Sequence, residues 1–95
     1  MTDKTGWTPG KWFVSGVRGK IDREEYHAVN VENGGVQIAI VWYDPKSHEG
    51  YADAHLIAAA PELYEALDAL DKYGHTEAIW HRAKAALAKA RGEKP

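Results

Sequence analysis

The sequence predicts an α+β fold: a small antiparallel sheet of three or four strands, followed by two or three α-helices packed on one of its faces. Three observations predict it. Residues 11–43 carry short runs of β-branched and aromatic residues separated by glycine-rich turn signals. Residues 51–73 are rich in alanine and contain Pro61, which ends one helix and pre-sets the first turn of another. The strand signals all precede the helix signals, the order that distinguishes α+β chains from α/β ones.

Taken in order, residues 1–6 read as a flexible tail, and Thr8-Pro9-Gly10 as a turn. Lys11–Val17 is the first strand, with Trp12 and Val14 on one face and Phe13 and Ser15 on the other. Arg18-Gly19-Lys20 reads as a turn or bulge. Ile21–Glu24, three charges in four residues, is ambiguous. Glu25–Val31 is the second strand, in which His27, Val29 and Val31 alternate with Tyr26, Ala28 and Asn30. Asn33-Gly34 is the preferred dipeptide of a type I′ hairpin turn. Val36–Tyr43 is apolar on both faces, which suits a central strand.

The polar loop Asp44–Gly50 ends the sheet. A first helix begins between His48 and Tyr51, and its alanines, with Leu56 and Ile57 between them, surround it, so burial nearly all round is expected. The second helix starts at Pro61, with Leu63, Ala66, Leu67 and Leu70 as its core stripe and Gly74 as its stop. Thr76 caps a third helix, whose stripe is Ile79, Trp80, Ala83, Ala86, Leu87 and Ala90. Residues 92–95 read as a second flexible tail. The whole chain, 1–95, is one domain.

Composition narrows function. The formal charge of −2 lacks the basic excess of a sequence-independent nucleic-acid binder. There is no cysteine, so disulfides and thiolate metal sites are excluded and a reducing cytoplasm is expected. No stretch approaches the ~20 apolar residues that span a bilayer, so no membrane partner is expected. Histidines 48 and 55, seven apart, would sit roughly 10 Å apart on a helix, too far to share an ion. Neither they nor His75 and His81 make a metal site. Ser47-His48-Glu49 holds triad residue types, but consecutive loop residues cannot form the relay. No catalytic residue, metal or cofactor is therefore assigned, and a non-enzymatic role is expected.

Binding surfaces are the stronger prospect. The end of the third strand, Trp42, Tyr43 and Asp44, with His48 in the following loop, combines aromatics and loop residues of the kind that anchor interfaces. Trp12 and Arg18, with Lys11, Phe13 and Lys20, interleave cations and aromatics that can stack on single-stranded nucleic acid. Trp42 has an equally simple reading as a plug beneath the first helix, and Trp12 as core. Glu62, Glu65, Asp68 and Asp71 offer an acidic helix face, or else partners for the basic third helix.

Residues 52–67, Ala-Asp-Ala-His-Leu-Ile-Ala-Ala-Ala-Pro-Glu-Leu-Tyr-Glu-Ala-Leu, together with Thr8-Pro9-Gly10-Lys11-Trp12, resemble a family of small bacteriophage and prophage proteins. The resemblance implies an accessory protein acting in the cytoplasm of an infected bacterium. It also implies a binding module for a host protein, an inhibitor of a host defence or metabolic protein. The alternatives are a nucleic-acid-binding accessory protein and a small-ligand (nucleotide) binder or sponge. A homodimer is compatible with the alanine-lined helices.

Overall fold

A computed structural model describes residues 6–15, 19–32, 36–42 and 49–93. They form four strands, β1 (Trp12–Val14), β2 (Gly19–Ile21), β3 (Glu24–Val31) and β4 (Gln37–Trp42). Three helices follow, α1 (Glu49–Ala58), α2 (Ala60–Tyr73) and α3 (Glu77–Ala90). The α+β class and the order of elements are as the sequence predicts.

All strand pairings are antiparallel, and all are made with β3. β1 and β4 both pair with Val29, and β2 and β4 both pair with Tyr26, so β1 and β2 share one edge of β3 and β4 occupies the other. Four residues separate Val14 from Gly19, where two separate their partners Val29 and Tyr26. β1 and β2 are thus one edge strand interrupted by two extra residues.

This corrects two expectations. Gly19 and Lys20 belong to a strand, not a turn. The turn lies at Asp22-Arg23, where both residues have positive φ, 47° and 73°, between the paired Ile21 and Glu24. A two-residue type I′ hairpin demands that geometry, normally from Asn-Gly. The second correction concerns β4. It is an edge strand among the described residues, and β3 is the centre. β4 is apolar on both faces for another reason: Ile38, Ala39 and Val41 pack toward the core, while Ile40 and Trp42 belong to the opposite face. The β3–β4 hairpin is present, closed by the Val31 N–H donating to the Val36 carbonyl at 2.9 Å. Its Asn33-Gly34 turn lies outside the described residues. A bulge at Ile38 shifts the register between Val29 and Asn30.

One face of the sheet is covered by α1. Val29, Ala54 and Ala58 are fully buried against each other, with Trp12, Val14 and Ile57 packed around them. The alanines are what let this helix lie close to β3. The expected all-round burial of α1 fails, however: Tyr51 and Leu56 are exposed, because α2 turns away instead of covering them. Ala59 alone separates the two helices, and its N–H still reaches the His55 carbonyl at 3.1 Å. Pro61 then sits in the first turn of α2, where no N–H is needed.

Gly74, at φ 77°, ends α2 as expected and donates its N–H to the Leu70 carbonyl. The Thr76 hydroxyl accepts the Ile79 N–H at 3.1 Å, the N-cap the sequence predicts. α3 closes with Gly92 at φ 79°, whose N–H reaches the Lys89 carbonyl while the Glu93 N–H reaches that of Ala88. Those two bonds are a Schellman cap. α2 and α3 pack on each other and α3 packs on α1, so the helical hairpin extends beside the sheet.

Candidate protein-binding surface

The outer face of the sheet, opposite α1, has no described element over it. Strand alternation puts Phe13, Gly19, Ile21, Tyr26, Ala28, Ile40 and Trp42 there, with Glu24 and Asn30 at the two ends of β3, on the side opposite Val29. Trp42 is 49% exposed, Ile21 46% and Phe13 38%.

The centre of this face is one cross-strand row. Tyr26 is paired with Gly19 on one side and with Trp42 on the other. Gly19 has no side chain, and the Tyr26 ring lies over it: a Cβ at Gly19 would fall 2.1 Å from Tyr26 Cζ. The Tyr26 and Trp42 rings meet edge to face with centroids 6.1 Å apart. In the next row Ile40 opposes Ala28, and Ala28 is buried by its neighbours. The result is a floor of small residues with aromatic and aliphatic walls, half open to solvent.

The remaining predicted residues fall as follows. Trp42 stands on the outer face and is no plug beneath α1. Tyr43, Asp44, His48 and Arg18 lie outside the described residues. Trp12 is turned the other way: it packs on the Val29–Ala54–Ala58 core, and its indole N–H donates to the Thr8 carbonyl at 3.1 Å. Strand parity is the reason, since Trp12 opposes inward-facing Val31 and Phe13 opposes outward-facing Asn30. Of the cation–aromatic set, Phe13 is on the outer face and Trp12 and Lys20 occupy inner-face positions, whereas Lys11 lines a cleft with Glu62, Glu65, Arg82 and Lys89. Of the acidic residues of α2, Glu62 takes Lys89 of α3 at 2.8 Å and Asp68 takes Lys72 at 3.0 Å. Sequence reasoning missed Ile21 and Tyr26 as surface residues. The Asp22-Arg23 turn that puts Ile21 in a strand lacks the usual glycine, and without β2 nothing indicates a face shared with Tyr26.

On the inner side, His27, Tyr51 and His55 form a ring cluster, with centroids 5.1 Å apart for His27–Tyr51 and 4.4 Å for Tyr51–His55. Burial pushes the His55 pKa down from its ordinary value, and charge on His27 pushes it further in the same direction. Gly92 is pressed against this ring, since a Cβ there would lie 3.0 Å from His55 Cδ2. Among the described residues no group of three His, Asp or Glu side chains is placed to hold a metal ion, and no helix is long and apolar enough to cross a membrane.

No curated protein and no solved structure matches the chain. The family described as Salmonella phage P22 protein Y8K6 matches over residues 1–94, nearly the full length. The chain therefore belongs to the Salmonella phage P22 protein Y8K6 family.

Proposed function

We infer that this phage-family protein is a non-enzymatic accessory module that binds a host protein through the outer face of its sheet, and so inhibits a defence or metabolic component of the infected cell. The observation that carries the reading is Trp42: a large aromatic, half exposed, held in place by Tyr26 on a sheet face with no described element over it. The Tyr26–Trp42 pair supplies the rigid aromatic centre that an interface uses, with Ile21 in the next row of the same face. Membership of a phage family supports the setting, the cytoplasm of the bacterial host.

The test is affinity capture from host lysate with the wild-type protein and with Trp42→Ala. The reading expects one host protein retained in stoichiometric amount by the wild type and lost by the variant, with unchanged circular dichroism. Retention of nothing specific, or equal retention by both proteins, contradicts it.

A further inference from the structure

The helical hairpin carries a second apolar surface, independent of the sheet face. Leu63, Leu67 and Leu70 of α2 and Ile79, Trp80 and Leu87 of α3 line a groove of about 250 Å³. The sequence marks these residues as core stripes. Ala66, Ala69 and Ala86 do become buried where the helices meet, but Leu67 is left 67% exposed, Trp80 47% and Leu87 46%. The small residues of the stripes close the hairpin, and the large ones face outward along one side of it.

We propose that this groove is a two-fold interface, in which the α2–α3 hairpins of two copies of the chain stack face to face as a four-helix bundle. Two features favour a second copy as the occupant. The first is size. Both helices have 14 residues, so each copy offers a face matched end to end by its mate. Two helices ~21 Å long, set ~10 Å apart, present on the order of 800 Å² of accessible surface, the standard amount per partner in a stable complex. The second is chemistry. The lining is apolar throughout, and homodimer interfaces are the apolar class. A two-fold axis parallel to the helices lays α2 of one copy against α3 of the other. Neighbouring helices are then antiparallel, the up-down arrangement of simple bundles.

Sedimentation equilibrium of the full chain tests this. The wild type is expected to be a dimer. Leu67→Glu, at a position that the protomer itself leaves exposed, is expected to weaken the dimer by roughly tenfold or more while keeping its helical signal. Trp42→Ala, on the sheet face, is expected to remain dimeric. A wild type that stays monomeric at its highest soluble concentration overturns the proposal, as does a Leu67→Glu dimer of unchanged affinity. Loss of the dimer in Trp42→Ala also overturns it, by moving self-association to the sheet. A protein that dimerises as proposed and captures no host partner leaves this inference standing and removes the proposed function alone.

Discussion

Asp22 and Arg23 show how one dipeptide can hide an element. Both hold positive φ without being glycine, and Arg in particular has no short polar side chain to ease that conformation. Arg23→Gly is therefore expected to stabilise the fold by about 0.5–1 kcal/mol, read as an increase in urea midpoint, since the relief of strain outweighs the added chain entropy. Thr76 is the opposite case, legible from sequence because the N-cap preference is local chemistry. Thr76→Ala strands the Ile79 N–H and is expected to cost about 1 kcal/mol in the same measurement. His55 gives a pH dependence. Its Nε2 is buried without a hydrogen-bond partner among the described residues, and its pKa is lowered. Below 6.5 the unfolded chain thus binds a proton that the folded chain resists. Stability is full above that value and falls as pH drops from 6.5 toward the lowered folded pKa. His55→Gln is expected to flatten this part of a midpoint-against-pH curve.

At the scale of elements, helix positions were legible and helix burial was not. Periodicity marks the apolar side of α2 and α3 without saying what covers it. Ala66 and Ala86 meet the neighbouring helix, whereas Leu67 and Leu87 on the same stripes meet water. For α1 the alanines were the informative residues. Ala54 and Ala58 lie against Val29 with no exposed surface to spare, so the helix-to-sheet distance is set by a methyl group. Ala58→Leu is expected to destabilise by roughly 1–3 kcal/mol through overpacking, seen as a lower melting temperature. Strand β4 carried a different ambiguity. An all-apolar strand reads as central, and here it is an edge whose two faces serve separate purposes: Val41 for the core, Ile40 and Trp42 for the outer surface.

At the scale of the whole molecule, the chain is long and thin. Its extents are 48 × 32 × 17 Å, and its radius of gyration of 14.8 Å exceeds the about 12 Å of a compact chain of this length. A core built on alanine and one fully buried valine, Val29, suits that shape, because it brings few large side chains inside. Several of the large apolar residues are displaced to two surfaces, the outer sheet face and the hairpin groove, while Tyr51, Leu56, Tyr64 and Tyr73 are exposed elsewhere. The class and order of elements followed from local patterning. The existence of those two surfaces depends on which described elements pack over which, and no local pattern records that.

We propose Trp42, on the outer sheet face, as the anchor for a host protein. It is tested most directly by calorimetric titration of the captured host protein with wild-type chain and with Trp42→Ala. A loss of affinity of roughly 30-fold or more is expected, the ~2 kcal/mol that marks a buried aromatic anchor. Equal affinity for the two proteins would contradict it.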